Sequence, residues 1–182
     1  MSQITKRALA SALKELLEHK PLNKITIADI TEQCGVNRQT FYYHFENLMD
    51  VLEWGVRQTT RQLVEQSLSA KDIHAALQIF ISFSVERFPL LQKMLDSQHR
   101  AQVERIMIEA VSAYLNELAR NRHLDLSVSY SDREVLLQYT AYGLVGVLLS
   151  YCGKPDLDRD RLAHQLERIL SGQLSGWIPP AT

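Results

Sequence analysis

The 182-residue sequence predicts an all-α protein that begins with a three-helix unit and continues as a larger helical domain. Apolar residues recur at helical spacing in most segments, and the chain holds only seven Gly and five Pro. One alternating segment, from Leu124 to Val128, is strand-like, but it has no second strand to pair with. We expect the first unit to occupy residues 1–47 and the second residues 48–182.

The first predicted helix carries a single apolar stripe. Its members are Ile4, Ala8, Leu9, Ala12, Leu13, Leu16 and Leu17. Thr26 can then cap a second helix, in which apolar residues share one face as far as Cys34. Gly35 follows, and glycine readily adopts the left-handed backbone that a tight turn between helices requires. The sequence therefore predicts two helices joined by a sharp turn.

A third helix follows the turn, with Asn37 as its cap. One set of side chains recurs at helical spacing and is expected to be buried: Phe41, Phe45, Leu48 and Leu52. Another set points outward: Gln39, Thr40, Tyr42 and Tyr43, with Arg38 in the first turn. Guanidinium, amide and hydroxyl groups suit phosphates and base edges. Glycine-centred helix pairs also occur in ordinary helical domains, but the preceding amphipathic helix completes a DNA-binding helix-turn-helix unit.

Three runs of residues carry a resemblance to a known family. They are Ile25-Thr26-Ile27-Ala28-Asp29-Ile30, Gly35-Val36 and Thr40-Phe41-Tyr42-Tyr43-His44-Phe45. In this order, behind a leading helix, they resemble the N-terminal domain of the TetR family of bacterial transcriptional regulators. Arg38 to Tyr42, with Leu52-Glu53-Trp54, is similar to the DhaS-like subgroup of that family.

The chain departs from the family pattern at two positions. Family members usually carry a lysine after the aromatic run, where this chain has Glu46-Asn47-Leu48, and the usual alanine after Ile30 is Thr31. Asn47 can still cap the next helix, but a carboxylate at Glu46 repels phosphate. We therefore expect the fold to be retained and the DNA affinity to be reduced.

We assign DNA-contacting roles to eight residues. Those expected to read base edges are Arg38, Gln39, Thr40 and Tyr43, with Arg38 suited to guanine and Gln39 to adenine. Those expected to contact phosphates are Lys24, Thr26, Tyr42 and His44. The DNA partner would be a double-stranded palindromic operator, because a helix-turn-helix usually reads two half-sites as a dimer.

The remainder of the chain is predicted to form further helices. Their approximate ranges are 48–69, 73–88, 90–95, 99–120, 132–151 and 158–174. Asp72, Asp132 and Asp158 are candidate caps, and Pro89 is expected to end its helix. Residues 121–131 are expected to form a loop.

The helix over 132–151 is apolar around most of its circumference. Gly143 and Gly146 would allow another helix to approach closely, and TetR-like proteins dimerise through their last two long helices. The predicted interface consists of Gly143, Gly146, Val147, Tyr151, Leu162, Leu166 and Ile169. The alternative is an ordinary monomer core.

The middle helices carry side chains that are candidates for lining an effector cavity. They are Phe80, Phe83, Ser84, Met107, Tyr114, Gln138, Tyr139 and Tyr142. A stripe of this kind is equally typical of a plain core. The sequence leaves open whether the effector is a small molecule or a partner protein.

The composition and the absence of several known motifs exclude some classes of function. With 46% hydrophobic and 23% charged residues, no signal-like segment and no apolar run of membrane length, the chain is expected to be a cytoplasmic protein. We find no catalytic or nucleotide-binding motif, and the two cysteines have no metal spacing, so no enzyme activity, cofactor or metal is predicted. Asp160 and His164 share a helix face and are interpreted as a solvated pair.

The predicted function is that of a dimeric sequence-specific transcriptional regulator, a repressor released by an effector. Two alternatives stay open. One is a DhaS-like activator controlled by a partner protein, and the other is a helical interaction module that no longer binds DNA. Glu46 and the missing lysine are the observations that favour the last.

Overall fold

A computed structural model describes residues 2–121 and 129–171. Over these ranges the chain forms eight α-helices and no β-strand, which confirms the predicted all-α class. The helices are α1 (Ser2–His19), α2 (Ile27–Cys34), α3 (Arg38–His44), α4 (Leu48–Leu68), α5 (Ile73–Leu95), α6 (Arg100–Asn121), α7 (Tyr130–Tyr151) and α8 (Arg159–Leu170). A short 3₁₀ helix, Leu22–Lys24, lies between α1 and α2. None of the described helices is long and apolar enough to span a membrane.

The first three helices pack around an apolar N-terminal core. Leu9, Leu13 and Leu17 of α1 meet Ile30 of α2 and Phe41 of α3, and all five side chains are fully or almost fully buried. This arrangement follows from the apolar stripe of α1, which gives α2 and α3 one common surface to cover. The exposed face of α3 is thereby fixed in orientation.

Later helices complete the N-terminal core. Val51 and Leu52 at the start of α4 are buried in it, and so are Met94 and Leu95 of α5 together with Val103 and Ile106 of α6. Lys93 of α5 also donates hydrogen bonds from Nζ to the carbonyl oxygens of Leu17 (3.3 Å) and Glu18, near the C-terminal end of α1. The predicted domain boundary coincides with the first residue of α4, but the packing continues across it.

A second apolar core joins the later halves of α4 and α5 to α6, α7 and α8. Phe80 and Tyr114 stack in it with ring centroids 5.2 Å apart, and the Tyr114 hydroxyl donates to Ser67 Oγ at 2.9 Å. Met107 and Leu149 are half-buried and pack against both cores. The two cores are therefore joined by apolar contacts.

The helix boundaries differ from the sequence-based expectation at Pro89. Pro89 lies inside α5, which continues to Leu95, so the prediction of a helix end at Pro89 and a separate piece over 90–95 was wrong. Proline removes one helical hydrogen bond and crowds the preceding turn, which is often enough to end a helix. Here Pro89 is exposed on the outer face, while Met94 and Leu95 bury their side chains in the N-terminal core and hold the last turns in place.

The last two helices begin with the expected kind of cap. Ser129 caps α7 by accepting a hydrogen bond from the Asp132 backbone N–H at 3.2 Å, so the helix begins at Tyr130 rather than at Asp132. Asp158 caps α8, as predicted, by accepting from the Arg161 N–H at 2.9 Å. Most of the predicted loop over 121–131, and the predicted last turn of the final helix over 172–174, lie outside the described residues.

Candidate nucleic-acid interface

The start of α2 is fixed by a reciprocal capping box. Thr26 Oγ1 accepts from the Asp29 backbone N–H at 3.2 Å, and Asp29 Oδ2 accepts from the Thr26 backbone N–H at 2.7 Å. Lys20 Nζ adds an ion pair to Asp29 Oδ1 at 3.0 Å. Hydrogen bonds from the Thr26 side chain and backbone, followed by the one from Lys20, lower the pKa of Asp29 from 3.8 to about 2.

The turn between α2 and α3 has the left-handed residue that the sequence predicts. Gly35 has φ 65° and ψ 29°, and its N–H donates to the Glu32 carbonyl at 3.1 Å. The Val36 N–H donates to the Thr31 carbonyl at 3.0 Å, which closes the end of α2. Gly35 therefore sets the angle between the two helices of the motif.

Helix α3 is anchored by one aromatic ring and presents others to solvent. Phe41 is fully buried, whereas Tyr42 is 58% and Tyr43 is 81% exposed. Arg38 and Gln39 are also exposed, in the first turn. Tyrosine side chains are usually at least partly packed, so the exposure of two adjacent tyrosines on this short helix is unusual. It leaves their hydroxyl groups accessible to a bound nucleic acid.

Two of the predicted contact residues already use their hydroxyl hydrogens inside the motif. Thr26 Oγ1 donates to Asp29 Oδ2 at 2.8 Å, and Thr40 Oγ1 donates to Asn37 Oδ1 at 3.0 Å. Asn37 Oδ1 also accepts from the Thr40 backbone N–H at 2.8 Å, which caps α3 as predicted. In this arrangement each threonine hydroxyl can accept a hydrogen bond from DNA but cannot donate one to a phosphate.

The remaining predicted contact residues are distributed around α3. Lys24 is exposed at the end of the 3₁₀ helix, and His44 is half-buried with its ring against the edge of Tyr43, the centroids being 4.9 Å apart. The sequence also places the basic residues Lys6 and Arg7, at the chain start, among the groups expected nearest a DNA backbone. Lys6 Nζ lies 5.4 Å from the centroid of the Phe45 ring, next to the aromatic residues of α3.

A shallow groove runs between α3 and the start of α4. It is lined by Lys6, Tyr42, Tyr43, His44, Phe45, Glu46, Asp50, Glu53, Trp54 and Arg57. Arg57 is paired with Glu53, and Asp50 Oδ2 accepts from the Glu46 backbone N–H at 3.0 Å. Asn47 caps α4, as predicted, by accepting from the Met49 and Asp50 N–H groups at 2.8 and 3.1 Å. Glu46 is exposed, so its charge faces solvent beside the candidate DNA surface.

The residues predicted to line an effector cavity do not surround one common space. Phe80 and Tyr114 are buried in the second core, and Ser84 Oγ donates to the Phe80 carbonyl at 2.8 Å within α5. Phe83 lies under the Arg87 guanidinium, 3.7 Å from its ring centroid, and Met107 packs between the two cores. The last three residues lie on the exposed surface of α7: Gln138, Tyr139 and Tyr142. These side chains are divided between core and surface in the described part of the chain, because helical spacing does not distinguish a cavity wall from packed core.

The predicted dimer-interface residues divide into two groups. Five have surface access on α7 and α8: Gly143, Gly146 and Tyr151 are exposed, Ile169 is 54% exposed, and Val147 is half-buried against the second core. Leu162 and Leu166 are 5% and 4% exposed because they pack α8 against its own protomer, so their assignment to the interface was wrong. Large apolar side chains that the sequence did not place in the interface continue the exposed face: Val135, Leu136, Tyr139 and Tyr142.

Comparison with known proteins identifies the N-terminal unit. Residues 9–53 match the model of the N-terminal domain of bacterial regulatory proteins of the tetR family. This N-terminal domain is therefore of the type that bacterial regulatory proteins of the tetR family carry. The matched range begins at Leu9 in α1, includes all of α2 and α3, and ends in the first turns of α4.

Two curated relatives are named as transcriptional regulators. One, the HTH-type dhaKLM operon transcriptional activator DhaS of Lactococcus lactis, is 36% identical over 53 residues, 29% of this chain and 28% of the relative. The other, the uncharacterized HTH-type regulator YxbF of Bacillus subtilis, is 22% identical over 154 residues, 80% of this chain and 38% of the relative. The aligned segments thus span less than half of each relative's own length.

Solved structures share the whole fold. The dihydroxyacetone kinase operon activator DhaS has a TM-score of 0.67 at 19% identity, over 94% of this chain and 97% of that one. A tetR-family regulator from Streptomyces coelicolor has a TM-score of 0.66 at 12% identity, over 97% and 85%. The family and these neighbours are transcriptional regulators rather than enzymes, in agreement with the sequence-based expectation.

Proposed function

We propose that the protein is a dimeric, sequence-specific DNA-binding transcriptional regulator that acts in the cytoplasm. The observation that carries the proposal is the exposed face of α3. Tyr42 and Tyr43 stand in solvent on a helix whose other side is anchored by the fully buried Phe41. A face of this composition on the second helix of a helix-turn-helix is suited to the major groove.

The side chains of α3 divide naturally by chemistry. Arg38 and Gln39 can make paired hydrogen bonds, Arg38 to guanine O6 and N7 and Gln39 to adenine N6 and N7. Tyr43 is the most exposed aromatic residue of the helix and is proposed to reach base edges beside them. Thr40, whose hydroxyl hydrogen bonds Asn37, is proposed to act as an acceptor or through its methyl group.

Phosphate contacts would come from the periphery of the motif. Lys24, Tyr42 and His44 are proposed to fix the position of α3 on the DNA backbone, together with Lys6, which lies beside Phe45. For Thr26 we propose a structural role in the cap, with phosphate contact limited to accepting a hydrogen bond from a bound water. Glu46 opposes these contacts by adding negative charge.

The dimer is proposed to form through α7 with a contribution from the end of α8. Val135 is 69%, Tyr139 76% and Tyr142 55% exposed, and they lie on the same helix as the exposed Gly143 and Gly146. Large apolar side chains grouped around glycines on one long helix are typical of a surface that another subunit covers. Two copies related by a twofold axis would present two α3 helices to a palindromic operator.

Regulation of DNA binding by an effector is proposed in two forms. In the first, the protein is a repressor that a small molecule releases from its operator. In the second, it is an activator controlled by a partner protein, which is favoured by the likeness of residues in the N-terminal unit to DhaS, a relative named as a transcriptional activator. The dispersal of the predicted cavity residues among core and surface also favours a protein effector.

The DNA-binding proposal is tested by selecting bound sequences from random DNA and measuring affinity by fluorescence anisotropy. Arg38→Ala is expected to cost about 1 to 3 kcal/mol on the selected site and to relax its base preference, with little change on random DNA. Arg61→Ala is the matched control, because Arg61 is an exposed arginine in the second half of α4. Equal losses on selected and random DNA would contradict base reading by Arg38. Absence of any salt-dependent DNA binding would instead support the interaction-module alternative.

A further inference from the structure

Four polar side chains meet where α8 packs on α5, on the side of the molecule formed by the second core. His74 lies in the first turn of α5, and Asp160, His164 and Glu167 follow one another along one face of α8. The two imidazole rings are stacked, with centroids 3.9 Å apart and an interplanar angle of 28°. Sequence spacing had linked only Asp160 and His164, because His74 comes from a distant part of the chain.

The ligand atoms of three of these residues converge. His74 Nε2 lies 3.1 Å from Asp160 Oδ1, and His164 Nε2 lies 3.8 Å from Asp160 Oδ2. One nitrogen from each histidine and one oxygen of Asp160 all lie within 4.8 Å of one another. We propose that His74, Asp160 and His164 form a binding site for a divalent transition-metal ion of the Zn²⁺ class.

The surroundings of the three ligands have the form of an outer coordination shell. Gln78 Nε2 donates to Asp160 Oδ1 at 2.6 Å and so orients the carboxylate. Glu167 Oε2 lies 3.3 Å from His74 Nδ1 and 3.6 Å from His164 Nδ1. In metal sites the ligating histidine usually donates its other ring N–H to a carboxylate or carbonyl, which fixes the ring and increases its basicity. Glu167 makes no hydrogen bond to either histidine here, but it is near enough to both Nδ1 atoms to take this role once the rings turn toward it.

An unsatisfied atom distinguishes this cluster from an ordinary hydrogen-bonded pair. His74 is mostly buried, and its Nδ1 has no hydrogen-bond partner within the described part of the chain, although Glu167 Oε2 lies 3.3 Å away. A buried polar atom without a partner is costly. A cation held by the two Nε2 atoms and Asp160 would turn the rings so that both Nδ1–H groups point toward Glu167, which satisfies the whole cluster.

The donor set favours one class of metal. Two imidazole nitrogens and one carboxylate suit Zn²⁺, Co²⁺, Ni²⁺ or Cu²⁺, whereas Ca²⁺ and Mg²⁺ prefer oxygen ligands. Three protein ligands leave a fourth position for water in a tetrahedral Zn²⁺ site. Because the ligands come from two helices, the ion would fasten the first turns of α8 to α5. Binding to the folded state alone would raise the thermal stability of the protein in proportion to metal concentration.

The test is isothermal titration of untagged, EDTA-treated protein with ZnCl₂, together with thermal unfolding in ZnCl₂, CaCl₂ and MgCl₂. We expect one Zn²⁺ per chain and a higher unfolding temperature with ZnCl₂ only. His164→Gln and Asp160→Asn should each weaken Zn²⁺ binding at least tenfold. Both side chains are 61% exposed, so these variants are expected to fold, which circular dichroism checks. His19→Gln is the matched control, at the exposed end of α1.

Three results would overturn the proposal. One is the absence of Zn²⁺ binding by the wild-type chain at micromolar concentrations. Another is unchanged Zn²⁺ binding in both His164→Gln and Asp160→Asn. The third comes from Co²⁺ substitution: an intense thiolate-to-metal absorption band would assign the metal to Cys34 or Cys152 instead. The expected result is an absorption spectrum typical of Co²⁺ bound by nitrogen and oxygen ligands. This spectrum should be lost in His164→Gln.

Discussion

At the residue scale, Thr26 and Asp29 hold α2 in the position that α3 depends on. Their side chains satisfy each other's backbone N–H groups, and Lys20 adds a charge to Asp29. Loss of a helix cap of this type costs about 0.5 to 2 kcal/mol. The Asp29 carboxylate contributes only while it is ionised, so the cap is sensitive to acid.

We predict that Asp29→Asn lowers the unfolding temperature at neutral pH and that its effect disappears in acid. The pKa of Asp29 is lowered from 3.8 to about 2 in the folded protein. Its contribution is therefore present above about pH 4 and is lost as the pH falls toward 2. Thermal unfolding of wild type and variant across this range is the measurement. Asp156→Asn, in the exposed turn before α8, is the control, and a constant difference at all pH values would contradict the assignment.

Glu46 supports a second prediction at the same scale. Because its exposed carboxylate lies beside the aromatic residues of α3, Glu46→Lys should tighten DNA binding. It should also steepen the dependence of log affinity on log salt by up to about one unit. Glu65→Lys changes the net charge equally but lies in the second half of α4, and it should alter neither quantity as much. Equal effects of the two variants would mean that Glu46 lies away from the DNA.

The caps and the turn of the motif could be predicted from single residues because each acts on its immediate neighbours. Thr26, Gly35 and Asn37 have the roles that their chemistry indicates. The use of the Thr26 and Thr40 hydroxyl hydrogens within the motif could not be predicted, because it depends on which of two nearby acceptors each rotamer reaches. Lys6 was expected near a DNA backbone from its charge, but its location beside Phe45 could not be predicted, because it depends on how α1 crosses α3.

At the element scale, α7 has one face in the core and another in solvent. Ala141, Leu144, Val145 and Leu148 are buried, whereas Tyr139 and Tyr142 remain exposed. A Cβ atom built at Gly143 or Gly146 has no neighbour within 4 Å, so the protomer has room for a side chain at either position. Val147 is less suitable for testing the interface, because a charge there would also disturb the core it packs against.

We predict that Gly143→Leu leaves each protomer folded and converts the proposed dimer to a monomer. Replacing a helical glycine should raise protomer stability by up to about 1 kcal/mol, while the leucine would keep the two helices apart. Gly143→Ala is the control and should stay dimeric or weaken only slightly. Light scattering coupled to size exclusion measures the mass, and anisotropy should report weaker operator binding for the monomer. A Leu variant that stays dimeric would place the interface elsewhere.

Helical spacing predicted that these helices exist, but it predicted less well which surfaces pack against them. The sequence identified apolar faces on α7 and α8, but it assigned Leu162 and Leu166 to a partner subunit when they cover the chain's own core. An apolar face indicates that the face is buried, but it does not indicate which surface covers it. The helix end predicted at Pro89 was wrong for a related reason. The contacts that hold α5 in place after Pro89 come from residues distant in the sequence.

At the scale of the whole molecule, the DNA-binding unit depends on the C-terminal helices. Met94 and Leu95 of α5 and Val103 of α6 are buried in the core that supports α3. Lys93 donates to backbone carbonyl oxygens near the C-terminal end of α1. The helix dipole also stabilises a cation at this position. None of these long-range contacts leaves a local signal in the sequence of the first helices.

We predict that a fragment of residues 1–47 is mostly unfolded by itself. It would keep Phe41 and the stripe of α1 but lose the side chains from α4, α5 and α6 that cover them. A chain of this length buries only a small apolar core, so its stability is marginal without further support. Circular dichroism should show a helical signal well below that expected for the α1, α2 and α3 helices and no cooperative thermal transition. A fragment that melts as cooperatively as the whole chain would contradict this dependence.

Met107 and Leu149 pack against both cores, which affects how variants found in genetic screens should be interpreted. A substitution that loosens the second core also removes apolar contacts from the first, so DNA binding can fail without any change near α3. A screen for loss of the proposed DNA binding would therefore recover such core substitutions together with those on the exposed face of α3. Only variants that lose the proposed DNA binding while keeping the wild-type unfolding temperature identify residues that act in binding rather than in folding.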